Sequence, residues 1–204
     1  PGPRDRARFG LEEDSFVLLF VGWLLPRKGI DFLLLALREL LRDPQVSKRR
    51  PRLLVVGSGP GRDRVDTLVD RLGLREAVTF AGAVPYGEMP AAFCAADVFV
   101  LPSIATPEWQ EQFGMALLEA MACGVPAVST YSGAIPEMVG DAATLCQPND
   151  FVALYEAIKQ LALDDAACAD LGAQGRSRVL AHYTLERYAA ALSDVYADLL
   201  QRGR

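Results

Sequence analysis

Phe16-Val-Leu-Leu-Phe-Val-Gly22 and Arg52-Leu-Leu-Val-Val-Gly57 decide the fold. Each is a short, almost unbroken apolar run closed by glycine. A strand with one wet face alternates apolar and polar residues. A continuous run instead predicts a strand covered on both faces, as in a parallel sheet. Between the two runs, helical periodicity extends from Ile30 to about Asp43 and stops at Pro44, and the polar stretch Gln45–Arg50 reads as a loop. That is the outline of a βαβ unit.

The same alternation continues along the chain. A helix is expected from about Arg62 to Leu72, ended by Gly73, then a strand at Val78–Ala81 and a short helix at Tyr86–Cys94. A fourth strand, Val98–Leu101, is stopped by Pro102 and followed by a long loop to Phe113. A helix at Gly114–Ala122, a strand at Pro126–Thr130, a turn at Ser132–Pro136 and a short helix near Glu137 come next. Ala143–Cys146 reads as a sixth strand. Three helices close the chain, at about Phe151–Leu163, Ala166–Leu180 and Leu185–Gln201. Tyr183, Tyr188 and Tyr196 recur there among Leu and Ala at helical spacing, which predicts core positions. The expected fold is α/β: a Rossmann-like, doubly wound parallel sheet of about six strands with helices on both faces. Ligands of such sheets bind beyond the carboxyl ends of the strands. The loops to inspect are therefore 22–29, 57–61, 82–85, 102–114 and 130–137.

Composition narrows the function classes. Of 204 residues, 51% are hydrophobic and 23% charged, which excludes a disordered chain. Lys and Arg total 21 against 26 Asp and Glu, a net charge of −5, so no nucleic-acid partner is expected. The longest apolar run, Phe16–Leu25, falls well short of the roughly 18 residues a membrane span needs. Cys94, Cys123, Cys146 and Cys168 lie far apart with small and apolar neighbours, which predicts buried, reduced thiols and a cytoplasmic location. A single histidine, His182, leaves no inventory for a Ser-His-Asp triad or a histidine zinc site. The opening Pro1-Gly2-Pro3-Arg4 reads as an inter-domain linker over residues 1–14, ahead of a domain at 15–204.

Four constellations carry chemistry. In Gly22-Trp-Leu-Leu-Pro-Arg-Lys-Gly29, Gly22 allows close backbone approach, and Arg27 and Lys28 precede a helix start where anions are favoured. The alternative is a solvated basic pair. Gly57-Ser-Gly-Pro-Gly61 lacks the third glycine of the dinucleotide fingerprint, since Arg62 stands there; it serves a ligand or simply a tight connection. Glu111-Gln-Phe-Gly-Met-Ala-Leu-Leu-Glu119 is the most specific. Phe113, Gly114 and Met115 would sit at a helix N terminus whose amides can bind oxygen ligands. Glu111 would face a sugar. Glu119, in an otherwise apolar helix, would accept hydrogen bonds from a vicinal diol such as ribose. The fourth, Ser132-Gly-Ala-Ile-Pro-Glu137, is a turn that starts a helix at Glu137.

Together these segments resemble the C-terminal half of a GT-B glycosyltransferase of family 4, the retaining "group 1" enzymes. The resemblance runs in order through FVGWLLPRKG from Phe20, LLVVGSGPGRD from Leu53, VTFAGAVPYGEMPAAFCAADVFVLPS from Val78, EQFGMALLEAMACGVPAV from Glu111 and SGAIPEMVGD from Ser132. It implies a nucleotide-diphosphate-sugar donor and an N-terminal acceptor domain absent from this chain. It also implies that no metal is required, and no Asp-x-Asp motif is present. In the family pattern Lys28 contacts the diphosphate, Glu111 the transferred sugar and Glu119 the ribose. The backbone of Phe113, Gly114 and Met115 meets sugar and phosphates, Val84 and Pro85 hold the base, and Gly22 and Gly57 shape the donor cleft. Family members commonly place Arg after the first glycine, where this chain has Trp23, so Arg27 is expected to compensate. Trp23 is expected at the cleft. The resemblance further implies that the final helix crosses to the other domain, which leaves apolar surface and a tendency to associate in this chain. It admits peripheral membrane attachment through the absent half. A nucleotide-sugar binding module without activity, or another GT-B enzyme such as a nucleotide-sugar epimerase, are the competing readings.

Overall fold

The structure, a computed structural model, describes residues 4–202. Six parallel strands form one sheet: β1 (Phe16–Val21), β2 (Pro51–Val56), β3 (Val78–Gly82), β4 (Val98–Leu101), β5 (Ala127–Thr130) and β6 (Thr144–Cys146). Their order is β3-β2-β1-β4-β5-β6. The expected doubly wound sheet is thus what the chain forms, with strand limits within about a residue of those read from the pattern.

The order follows from the residues. β1 lies centrally between β2 and β4, and Phe16 to Phe20 are all buried. Burying each Phe side chain contributes about 2–3 kcal/mol. From β1 the chain winds outward one way, through α1 (Ile30–Arg42) and α2 (Arg62–Leu72), to β3. It then returns through α3 (Met89–Ala95) to β4 and winds the other way through α4 (Met115–Ala122) and α5 (Ile135–Val139). Right-handed crossovers in opposite directions place the two helix sets on opposite faces. The packing agrees: α1 contacts α2 and α6 (Phe151–Leu163), whereas α4 contacts α3 and α7 (Asp165–His182). Asp150 and Asp164 cap α6 and α7, each accepting a hydrogen bond from a backbone amide at 2.9 Å.

Of the stretch read as a linker, residues 1–3 lie outside the described residues, as do residues 203–204 of the domain. Residues 4–14 dock against the domain. Phe9 and Leu11 are buried, and so is the Arg6 guanidinium. Arg6 donates to the Ala95 carbonyl at 3.0 Å, to those of Glu13 and Ser15 at 2.6 and 2.8 Å, and to the Asp97 carboxylate at 2.6 Å. Asp97 also accepts from the Val17 amide at 2.7 Å. Arg4 also pairs with Asp97, at 2.8 Å, so two arginines on one carboxylate tie this segment to the starts of β1 and β4, at the end of the sheet opposite the strand carboxyl ends.

The C-terminal helix departs from expectation. α8 (Leu185–Arg202) buries none of its residues. Tyr183 is partly buried, but Tyr188 and Tyr196 are 68% and 59% exposed. The periodicity is that of an amphipathic helix, and its apolar stripe (Leu185, Tyr188, Leu192, Val195, Leu199) is exposed. The exposed apolar surface expected of this helix is thus present. Cys94 and Cys146 are buried as expected, while Cys123 and Cys168 are only partly so; no disulfide forms. Burial pushes the Cys123 and Cys146 thiols up to about 11. No helix among the described residues is long and apolar enough to cross a membrane.

Arg6→Ala removes the cation from a buried cluster and leaves Asp97 short of a partner. It is expected to lower unfolding stability by about 3 kcal/mol, read as a reduced urea midpoint with unchanged slope.

Candidate functional site

The winding reverses between β1 and β4, so their outgoing loops part there and leave a crevice. The loop after β1 ends in a 3₁₀ turn, Pro26–Lys28. The loop after β4 runs alongside it, and the Ile104 amide donates to the Arg27 carbonyl at 2.9 Å. Across the crevice, Lys28 Nζ donates to Glu111 Oε2 at 2.7 Å, and Ser103 Oγ donates to the same oxygen at 2.8 Å. The side chains are 19% and 8% exposed. Both of these hydrogen bonds fall on the same oxygen of a carboxylate that is itself buried.

The loop after β5 holds Glu111 from behind. The Glu111 amide donates to Ser132 Oγ at 3.4 Å, and the Ala134 amide donates to the Glu111 carbonyl at 3.0 Å. Gly133 has φ of 55°, and a Cβ there would stand 1.9 Å from the Glu111 carbonyl oxygen. Only glycine permits this approach. Ser132 thus acts through position, while Glu137, expected to start a helix, is exposed in the first turn of α5, which begins at Ile135. Trp109 was missed by the sequence reading. Its ring lies 4.7 Å from the Arg27 guanidinium carbon and 5.2 Å from Lys28 Nζ, so it gathers both cations. Trp109, Gln110, Glu111, Gln112 and Gly133 line an open cleft of about 610 Å³.

The N terminus of α4 opens at the same edge. Gly114 begins it at φ 71°, and no side chain caps it. Its first amides are left for a ligand, with the positive end of the helix dipole behind them. Phe113 and Met115 are exposed beside it, Phe113 lying edge-on to Tyr183 with ring centroids 6.2 Å apart. Trp23 is 65% exposed.

The other expected residues are placed less simply. Gly57 donates its amide to the Gly82 carbonyl at 2.7 Å, and a Cβ there would stand 2.1 Å from the Gly22 carbonyl oxygen. Its glycine is required for packing between the loops after β1 and β2. Val84 and Pro85 line a cavity of about 390 Å³ with Arg8, Phe9 and Phe80. Glu119, on α4, lines a second cavity of about 200 Å³ with Tyr86, Met89, Pro90, Phe93, Ala122 and Cys123. Glu119 is partly buried, and its carboxylate is hydrogen-bonded to the Tyr86 hydroxyl. Burial raises the Glu119 pKa while the Tyr86 bond opposes the rise. The carboxylate raises the Tyr86 pKa in turn, so the phenol keeps its proton and donates.

The chain matches the family described as "Glycosyl transferases group 1" over residues 2–178. It belongs to that family. Among curated relatives, it is 35% identical over 197 residues to the GDP-mannose-dependent alpha-(1-6)-phosphatidylinositol monomannoside mannosyltransferase of Mycolicibacterium smegmatis, covering 94% of this chain and 50% of that protein. Among solved structures it resembles sucrose-phosphate synthase from Thermosynechococcus elongatus, with TM-score 0.82, 32% identity, and 97% and 48% of the two chains covered. It also resembles the Anabaena protein HepE in complex with UDP and glucose, with TM-score 0.82, 25% identity, and 95% and 51% covered. The chain spans about half the length of these group 1 and related proteins.

Glu119 supplies a pH test. Its folded-state pKa lies above the ordinary carboxylate value. The folded state therefore binds its proton more tightly than the unfolded state, and stability falls as pH rises through that interval. Glu119→Gln is expected to raise the urea midpoint at pH 7 and to leave it unchanged near pH 4.

Proposed function

We propose that this chain is the donor-binding half of a retaining glycosyltransferase, which moves a sugar from a nucleoside-diphosphate sugar to an acceptor hydroxyl. The observation that carries the reading is the Lys28–Glu111 pair at the strand-order reversal, beside the uncapped start of α4. Breaking the bond between a sugar and a diphosphate places negative charge on the leaving group. Lys28, with Arg27 beside it on Trp109, and the amides of Gly114 and Met115 form a fixed positive surface for that charge. In this reading it does the work of a metal, and none is needed.

Glu111 has its backbone pinned by the loop after β5, and its two side-chain hydrogen bonds fall on one oxygen. It suits a sugar hydroxyl at the mouth of the cleft. Glu119 is assigned the ribose, and the main chain of Val84 and Pro85 the base. Gly22 and Gly57 keep the two loops close, and Phe113 and Trp23 form the rim. Trp23 brings no charge, so phosphate binding rests on Lys28, Arg27 and α4. The acceptor and its domain would belong to the remaining half of the protein. The name of one relative mentions GDP-mannose, and the HepE complex holds UDP and glucose, which supports a nucleotide-sugar donor and leaves the base open.

Calorimetry on the chain with UDP, GDP and ADP is expected to show binding of at least one. Lys28→Ala should weaken that binding by about tenfold or more, the loss of a charge-assisted contact to phosphate. No heat with any of the three, or an affinity indifferent to Lys28, would overturn the assignment.

A further inference from the structure

Glu119 is the only carboxylate in the cavity beside α4, and the walls around it offer little to bond with. Met89, Pro90, Phe93 and Ala122 are apolar, and the Cys123 thiol is a weak donor. A partly buried carboxylate against such walls needs a hydrogen-bond donor. Tyr86 supplies it. Yet Tyr86 is itself poorly held. It is 77% exposed and stands on the three-residue 3₁₀ turn Tyr86–Glu88 between β3 and α3. It lines the same small cavity as Glu119. A donor that is needed by its acceptor but scarcely anchored by its own packing can be exchanged at small cost.

We propose that Tyr86 is an exchangeable stand-in for the donor's ribose: its hydroxyl satisfies Glu119 in the free protein and yields to the vicinal diol when a nucleoside diphosphate binds. The inference rests on the donor-site reading above. Its consequence is that Tyr86 sets affinity against the ligand. Every diol that reaches Glu119 displaces a hydrogen bond already made, so part of the ribose interaction is spent on exchange. A ligand without hydroxyls at both positions has nothing to offer Glu119 in return and leaves the phenol in place. Tyr86 thereby narrows the preference for ribonucleotides over their deoxy counterparts.

Tyr86→Phe tests this, because it keeps the ring and removes only the hydroxyl of an exposed residue. Calorimetry with whichever of UDP, GDP and ADP the chain binds best is expected to show about fivefold tighter binding to Tyr86→Phe than to the parent, the value of one released hydrogen bond. The 2′,3′-dideoxy counterpart of that nucleotide should bind both proteins equally. Unchanged or weaker ribonucleotide binding to Tyr86→Phe would overturn the exchange while leaving the donor site standing. An equal gain for the dideoxy compound would overturn it too, since the effect would then come from the ring or from space. If the parent chain binds none of the three nucleotides, the donor-site reading itself falls and the exchange with it.

Discussion

Reversal of winding at β1 is the constraint from which the site follows. β1 must be apolar on both faces because it is flanked by strands and covered by helices on each side. The chain then leaves it in one direction and, after β3, returns to lay β4 on its other edge. Right-handed crossovers force the helices of the two halves apart at that line. The loops after β1 and β4 therefore begin as neighbours and diverge. Lys28 and Glu111, from these two loops, close the gap with a single ion pair. Such a pair is stable when its desolvation is offset by further hydrogen bonds, and Ser103 provides one on the shared oxygen.

The electrostatics of the crevice are balanced in the free chain. Lys28 is matched by Glu111, Arg27 lies on an aromatic ring, and Glu119 has the Tyr86 hydroxyl. The α4 N terminus is left without a side-chain cap. A diphosphate brings negative charge to that terminus and to the cations, while its attached sugar and ribose bring hydroxyls to the two carboxylates. Each partner contact of the free state is thus matched by a group of the proposed donor. That correspondence, more than any single distance, is what joins the geometry to the chemistry.

The sequence made the sheet legible because buried strands are written locally. FVLLFV and RLLVVG need no partner to be recognised as apolar on both faces. Lys28, Glu111 and Glu119 were legible for a related reason, since charges in glycine-bounded or greasy segments are conspicuous. Ser103, Ser132 and Gly133 were not, because their roles depend on Glu111, which lies in a different loop from Ser132 and Gly133 and is met only after folding. Tyr86 was quoted within its segment but given no role, as nothing near it in sequence points to Glu119. The last helix failed differently. Its stripe is a genuine amphipathic signal, but periodicity states that a face is apolar and not what covers it. Tyr188 and Tyr196 were read as core for that reason and are exposed. The linker reading rested on Pro and charge, which do not show that the buried Arg6 pairs with Asp97 and three backbone carbonyls.

The loop after β4 is fastened at both ends, and between them it reaches Arg27 and Lys28 through Trp109. Ser103 and Ile104 are held by Thr130, Glu111 and Arg27, and Glu111 is held by Ser132 and Ala134. Residues 106–110 form one wall of the cleft, and within them Trp109 carries the contact to Arg27 and Lys28. The stretch can change around Trp109 without moving the carboxylate that follows it. A protein built this way can acquire a new preference for what enters the cleft while the Lys28–Glu111 pair is inherited intact.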